Sequence, residues 1–327
     1  MQVFFYEAFE EEQNALLANG ASALDSGFTW KTIQEYGASA PPAPIISVRT
    51  QSTIPPEWAP KLKAILTRST GYDHLTRYCH ATGANAPVCG YLPLYCNRSV
   101  AEQALTLWMA LLRRLPEQMA HFSSFARDGL TGREAAAKRL LVIGVGKIGS
   151  EIVSIGHGLK MEVRGIDLVK RLPDLEYVSF EEGAPWADIV AVAMNLTDAN
   201  TGYFSAEKLA MLKSGALLIN IARGEFTPLK PLAEAIESGH LGGAGLDVFE
   251  QETKVGPNLR SNGELDKASP LYRLSQAKNV ILTPHNAFNT AEAVQRKSQQ
   301  SVEQLKHFLE TGSFIWPIGL YSGCSLT

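Results

Sequence analysis

The stretch "RLLVIGVGKIGSEIVSIGHGLKMEVRGID", residues 139–167, decides how this chain folds. Leu140, Leu141, Val142 and Ile143 form a short apolar run that reads as a buried strand. Gly144, Gly146 and Gly149 follow at G-x-G-x-x-G spacing, and Ile152, Val153 and Ile155 then recur at helical intervals. A second strand, "EVRGI", closes at Asp167, eighteen residues beyond Gly149. With 27 glycines in the chain the spacing alone is weak, and the strand before it and helix after it give it weight. Outward from this unit the alternation continues through "ADIVAVAM", "SAEKLAML", "ALLINIA", "LKPLAEAIESG", "GGAGLDVF" and "NVILTPH". Strands alternating with helices of this length imply right-handed crossovers and a parallel sheet covered on both faces, a doubly wound α/β domain of Rossmann type.

Each glycine has a task in such a turn. Gly144 makes the tight bend, Gly146 lets the backbone approach a pyrophosphate, and Gly149 allows close packing of helix on strand. The helix N-terminus offers N–H groups and positive dipole to phosphate. Asp167 would accept hydrogen bonds from ribose hydroxyls and repel a 2′-phosphate, so NAD is expected over NADP. Lys170 and Arg171 lie close enough to soften that repulsion, or are solvated loop charges.

At 327 residues the chain exceeds the size at which a single core usually stops growing, so two domains are expected. Upstream, "QVFFY", "IISV" and "KAILT" read as strands of a smaller α/β unit, with turn residues gathered in "GASAPPAPI" and "CGYLPLYC". A long helix is predicted from Ser99 to Leu115, with Ser99 three residues before Glu102 in a capping box. The last helix is predicted over Ala291–Glu310, and "GSFIWPIGLYSGCSLT" is expected to return to the first domain. The domains are thus 1–97 plus 288–327, and 98–287 inserted between them. "QETKVGPNLRSNGELDKASPL" reads as a long turn-rich loop, functional or simply mobile.

Thirty basic against 33 acidic residues give no broad electrostatic reason to bind nucleic acid or an anionic membrane, so a small-molecule partner is expected. Cys79, Cys89, Cys96 and Cys324 show no C-x-x-C pair, no metal is expected, and a core this large needs no disulfide. A reducing cytoplasm fits. "MQVFFYEAFEEEQ" has no basic start or long apolar run, and nowhere do 18 apolar residues run together, so a soluble, unexported protein is expected.

Three polar residues stand just past strand ends: Arg223 in "INIARGE", Glu252 in "GLDVFEQE" and His285 in "LTPHNAF". In doubly wound sheets ligands sit outside the carboxyl ends of the strands, so these three can converge. If the cofactor carries a hydride, reduction of a carbonyl needs a proton donor near neutral pH, which is a task for histidine. A carboxylate beside it favours the charged imidazole and fixes its tautomer, which suits Glu252. An arginine presents a planar fork to a carboxylate, which suits Arg223. Taken singly, His285 is equally a strand-closing hydrogen-bonder, Arg223 a partner of backbone carbonyls and Glu252 a loop charge.

"GVGKIG" with Asp167, "NIARGE", "GLDVFEQE" and "TPHNAF", in this order, resemble the D-isomer-specific 2-hydroxyacid dehydrogenases. "TGYDHL" at 70–75 and "LPLYCNRSVAEQA" at 92–104 extend the resemblance over most of the chain. It implies an NAD-dependent oxidoreductase, interconverting a 2-oxo acid and a D-2-hydroxy acid, with the Rossmann domain inserted into a flavodoxin-like substrate domain. By that likeness Arg223 binds the substrate carboxylate, His285 is the acid and base, and Glu252 is its partner. Tyr95, Phe288 and the long stretch after Glu252 are most similar to the D-lactate dehydrogenase branch. Thr70 and Gly71 would supply N–H donors to the substrate. Gly144, Gly146, Lys147, Ile148, Gly149, Asp167, Asn195, Thr197, Ala222 and Asp247 would line the cofactor. Ala193 and Asn195 depart from the family's usual histidine and proline beside the cofactor. Arg49 falls near a specificity position and would favour a larger or second acidic group on the substrate. Relatives of the family leave open a glyoxylate or hydroxypyruvate reductase, a phosphoglycerate dehydrogenase, a formate dehydrogenase, or an NAD-sensing protein like the corepressors. A homodimer through "AEQALTLWMALLRRL" and "PEQMAHFSSFARDG" is the family's expectation, although Trp108 and Met109 could equally be core.

Overall fold

The computed structural model describes residues 1–319, so Cys324 lies outside the described residues. The chain divides into two compact units, one of Met1–Cys96 with the described part of Asn289–Thr327, the other of Asn97–Phe288.

The first unit is built on five strands, β1 (Val3–Phe5), β2 (Ser26–Phe28), β3 (Ile45–Val48), β4 (Ala64–Thr67) and β5 (Val88–Gly90). They are all parallel in the order β2-β1-β3-β4-β5, with Val3 opposite Ile45 and Ile45 opposite Ala64. Every residue of β3 and β4 is buried, which is why "IISV" and "AILT" read as continuous apolar runs rather than alternating ones. Strands β2 and β5 were not predicted. Each is three residues long and contains a glycine, so neither shows an apolar run. One face of the sheet is covered by Trp58, Leu75 and Tyr78, which pack with Phe4, Ile46, Val48 and Ile65 into one core. The last helix spans Ala291–Thr311, capped at its start by Thr290, whose hydroxyl accepts from the Ala293 N–H, and ended by Gly312 at φ +78°. Beyond it Pro317 bridges Gly90 antiparallel, and the Ile318 N–H donates to the Cys89 carbonyl at 2.8 Å. The chain therefore does return to this sheet.

The second unit carries seven parallel strands: β6 (Arg139–Ile143), β7 (Glu162–Ile166), β8 (Glu176–Tyr177), β9 (Ile189–Val192), β10 (Leu217–Asn220), β11 (Gly243–Leu246) and β12 (Val280–Leu282). Their order is β12-β11-β10-β9-β6-β7-β8, so the connection reverses between β6 and β9. That reversal is the switch point where a doubly wound sheet opens its ligand crevice. Leu141, Ile143, Val190, Val192, Leu218, Phe226 and Leu246 centre the core. At full burial such side chains each contribute roughly 1.5–3 kcal/mol.

Two expectations are corrected here. The helix predicted from Ser99 begins at Asn97 and ends at Leu112, so Ser99 lies in the first turn and its hydroxyl donates to the Phe288 carbonyl at 3.3 Å; the expected capping box is not its N-terminus. The stretch expected as a long loop after Glu252 contains a helix, Glu252–Asn262, and a second, Pro270–Gln276. Its polar face and internal Pro257 hide the helical period. Gly263, in the left-handed conformation with its N–H on the Leu259 carbonyl, ends the first helix.

Candidate active site

The glycine turn is held by close backbone approaches. Gly144 sits at φ +91°, and a Cβ there would lie 2.4 Å from the Met194 nitrogen. A Cβ on Gly149 would lie 2.0 Å from the Gly144 oxygen, so neither position tolerates a side chain. Gly146 differs: nothing stands within 4 Å of where its Cβ would be. It is the N-cap of the helix Lys147–Gly158, whose first turn has no side-chain cap. The opening beside Gly146 and the uncapped N–H groups fit a pyrophosphate. Lys147 is exposed and Ile148 half-buried at this turn.

Asp167 follows β7 and faces the same turn. Its Oδ2 accepts the Val145 N–H at 2.6 Å, and its Oδ1 accepts the Val169 N–H at 2.9 Å. Each carboxylate oxygen has a second acceptor direction, so the group that shapes the turn retains capacity for ribose hydroxyls. After β9 lie the exposed residues Asn195 and Thr197; the Asn200 amide donates to the Asn195 carbonyl at 2.8 Å and accepts the Thr197 N–H at 2.7 Å. These residues together fit a dinucleotide.

Strands β10, β11 and β12 are neighbours, and each delivers a residue just past its carboxyl end. Asn220, fully buried at the end of β10, turns the chain: its amide donates to the Arg223 carbonyl at 2.8 Å and to Thr227 Oγ1 at 2.9 Å, and its oxygen accepts the Ala222 N–H at 3.1 Å. Arg223 Nη1 donates to the Ala222 carbonyl at 2.8 Å. Gly224 then passes so close to the next loop that a Cβ would lie 2.1 Å from the Phe249 carbonyl. The Arg223 turn and the segment leading to Glu252 are thereby packed backbone on backbone. Gln251, at φ +65°, starts the helix on which Glu252 is the first residue.

His285 Nδ1 lies 2.7 Å from Glu252 Oε1, and both side chains are 15% exposed. His285 itself holds a left-handed backbone, φ +53°, uncommon for a residue with a Cβ. The fully buried Asp247 maintains it. The Asp247 carbonyl accepts the His285 N–H at 2.8 Å; its Oδ1 accepts Thr283 Oγ1 and the Asn286 N–H, and its Oδ2 the Ala287 N–H at 2.8 Å. Asp247 was read as a cofactor residue; both its oxygens are directed at the segment that carries His285. Phe288, buried, closes this segment.

The remaining sequence candidates belong to the other unit, past β4 and β5. Thr70 Oγ1 donates to the Leu92 carbonyl at 3.1 Å and lies 3.4 Å from Cys96 Sγ; the Gly71 carbonyl accepts from Ser69 Oγ at 2.8 Å. Tyr95 is buried, and its carbonyl accepts from Arg296 Nε at 2.9 Å. Sequence reasoning missed Asn220 and the anchoring role of Asp247. The signal existed in both cases: a polar residue closing an otherwise apolar strand.

A Rossmann-type dinucleotide turn, with an imidazole–carboxylate pair and an arginine at the ends of adjacent strands, defines a nicotinamide-dependent dehydrogenase. The model of the D-isomer specific 2-hydroxyacid dehydrogenase NAD binding domain matches residues 105–287. The aromatic 2-oxoacid reductase of Clostridium sporogenes is 35% identical over 255 residues, 76% of each chain. A D-lactate dehydrogenase of Streptococcus agalactiae is 32% identical over 261 residues, 77% of this chain and 78% of its own. The solved D-lactate dehydrogenase of Aquifex aeolicus, complexed with NAD and lactic acid, is 27% identical, covers 98% of this chain and 100% of its own, and superposes with a TM-score of 0.84. The chain belongs to the D-isomer-specific 2-hydroxyacid dehydrogenases, on the side of the D-lactate dehydrogenase branch. It is an NAD-dependent oxidoreductase that interconverts 2-oxo and 2-hydroxy acids.

Proposed function

We propose that His285 is the proton donor and acceptor of this reaction, with Glu252 as its carboxylate partner and Arg223 as the clamp on the substrate carboxylate. The 2.7 Å contact between His285 Nδ1 and Glu252 Oε1 carries the reading. NAD in its reduced form supplies a hydride to C2 of the 2-oxo acid and in its oxidised form takes one back. With Nδ1 committed to Glu252, the proton that moves is held at Nε2, and the Glu252 charge stabilises the imidazolium that donates it. As the carbonyl oxygen gains negative charge it takes that proton, and the Arg223 fork fixes the acid group for attack on one face. The D configuration follows the family. Asp247 positions His285.

The two units divide the work: residues 98–287 hold NAD through the glycine turn, Asp167, Asn195, Thr197 and Ala222, and residues 1–97 with 288–327 bind substrate. In this reading the backbone at Thr70 and Gly71 donates to the substrate carboxylate, and Tyr95 and Phe288 wall the pocket. A homodimer is supported by the helix Leu115–His121 and the turns after it, where Met119, Phe122 and Phe125 are 70%, 77% and 72% exposed. A cytoplasmic location is supported by Cys79 and Cys89, both free thiols. Among the described residues no helix is long and apolar enough to cross a membrane.

The test is turnover: loss of NADH absorbance over a panel of 2-oxo acids, with chiral analysis of the product. The D-2-hydroxy acid is expected; tight NADH binding with no turnover of any member contradicts the proposal.

A further inference from the structure

Two cysteines meet inside the first unit, apart from the residues that handle hydride and proton. The helix Asp73–Thr82 turns Leu75, Tyr78 and Cys79 inward at helical spacing, and Cys89 is the middle residue of β5. Both side chains enter the core on one face of this sheet, Cys79 3% and Cys89 2% exposed. Their sulfurs lie 3.5 Å apart, and the Cys89 thiol also reaches the Pro87 carbonyl at 3.4 Å.

As core filler a cysteine does the work of any small apolar residue, and packing asks for no second thiol against the first. What two facing thiols add is redox chemistry. A disulfide holds its sulfurs at about 2.05 Å, so this pair, already in contact, stands about 1.5 Å short of a bond. The pair also lies close under the surface. Cys79 is in the last turn of its helix, and β5 closes one end of the sheet, with the neighbouring Val88 40% exposed. The contact with Cys89 draws the Cys79 thiol below its ordinary value against the opposing effect of burial, while the same contact and burial push Cys89 up. Cys79 is therefore the sulfur that ionises first and attacks.

Helix and strand both run into segments read as substrate-binding. Thr70 and Gly71 precede the helix, and Tyr95 follows β5. The two segments are tied at Leu92, whose N–H donates to the Ser69 carbonyl at 3.2 Å and whose carbonyl accepts from Thr70 Oγ1 at 3.1 Å. Drawing the helix onto β5 shifts the backbone on both sides of that tie.

We propose that Cys79 and Cys89 are a redox modification site, oxidised by a hydroperoxide to an intramolecular disulfide that weakens substrate binding. The effect on substrate rests on the reading of Thr70 and Gly71 as donors to its carboxylate; formation of the disulfide does not. The Cys79 thiolate attacks the peroxide, the O–O bond breaks, and Cys79 becomes a sulfenic acid as the leaving oxygen takes a proton. Cys89 sulfur then attacks Cys79 sulfur: the S–S bond forms, the S–O bond breaks, and the hydroxyl departs as water with the Cys89 proton. Two thiols lose two electrons and two hydrogens, and hydrogen peroxide becomes two waters. A small dithiol reverses the change by exchange. Disulfides of this kind in a reducing compartment are transient and redox-sensing, not structural.

The test is mass spectrometry and kinetics on the full chain before and after hydrogen peroxide. Trypsin releases Cys79, Cys89 and Cys96 together in the peptide 78–98, between Arg77 and Arg98. After peroxide, then iodoacetamide in urea, that peptide is expected to carry one alkyl group, on Cys96, and a 79–89 disulfide located by fragmentation; dithiothreitol should restore three alkyl groups. Cys89→Ser should abolish the disulfide. For the 2-oxo acid turned over fastest, oxidation should raise KM by about 3- to 10-fold, while the NADH dissociation constant stays within about twofold. Dithiothreitol should reverse the rise, and Cys89→Ser should not show it. Cys79 and Cys89 both still alkylated after peroxide, or a disulfide from either to Cys96 or Cys324, overturns the site. A 79–89 disulfide with KM unmoved overturns its effect on substrate. No turnover of any 2-oxo acid overturns the reductase reading and that effect with it, and the peptide alone then decides the site. If Cys89→Ser fails to fold, the peptide and the reversible KM of the unmodified enzyme decide both.

Discussion

Asp247 holds His285 without touching its imidazole. Its carbonyl accepts the His285 N–H at 2.8 Å, while its carboxylate gathers Thr283 and the N–H groups of Asn286 and Ala287 around the histidine. A left-handed residue with a side chain persists only where its surroundings over-determine it, and here one buried carboxylate does so from just past β11. The consequence reaches chemistry, because the ring of His285 must meet Glu252 at one angle.

Asp247→Ala should therefore lower kcat by about 10- to 100-fold and destabilise the fold by about 2–4 kcal/mol, since three donors lose their acceptor. NADH affinity, measured by fluorescence titration, should change by less than about threefold, a small fraction of that free energy. A large loss of NADH affinity with kcat preserved would instead make Asp247 a cofactor residue.

Asp167 has two tasks, shaping the glycine turn through Val145 and repelling a 2′-phosphate. Asp167→Asn keeps an acceptor for the turn and removes the charge. The ratio of kcat/KM with NADPH to that with NADH should rise about 10-fold, roughly 1.4 kcal/mol. An unchanged ratio would remove Asp167 from cofactor choice.

The ionised state of Glu12 contributes to stability. Burial opposes ionisation, but Arg68, Lys297 and Arg49 hold Glu12 at about 2, below its ordinary 4.5. A carboxylate whose pKa is lower in the folded chain lends stability above 4.5 and loses it as pH falls toward 2. Urea unfolding midpoints should drop over that interval, and Glu12→Gln should flatten the drop while destabilising the protein at neutral pH by about 3–5 kcal/mol, because Arg68 and Lys297 remain buried. Parallel pH profiles for the two proteins would contradict this.

Much of this arrangement is legible in the sequence because strong local signals agree. The apolar runs of β3, β4, β6, β9 and β10 are buried on both faces, and the glycine turn is fixed by contacts no Cβ could survive. Arg223, Glu252 and His285 stand out because each follows such a run. What stayed hidden is polar and tertiary. The helix Glu252–Asn262 has no apolar stripe to announce it. The anchoring role of Asp247 stayed hidden because its partners, 283 to 287, lie past the next strand. Lys297 shares a helical face with Val294, Ser301 and Leu305, all buried. Spacing marks that face as inward, and only the fold shows that Glu12 waits there.

The central claim is that His285 moves the proton. His285→Gln keeps a hydrogen-bonding side chain of similar reach but cannot act as an acid near neutral pH. Single-turnover reduction of a 2-oxo acid by bound NADH should slow by at least about 1000-fold, while the NADH dissociation constant stays within about threefold of the unmodified protein's. Reduction at an undiminished rate in this variant would contradict the account.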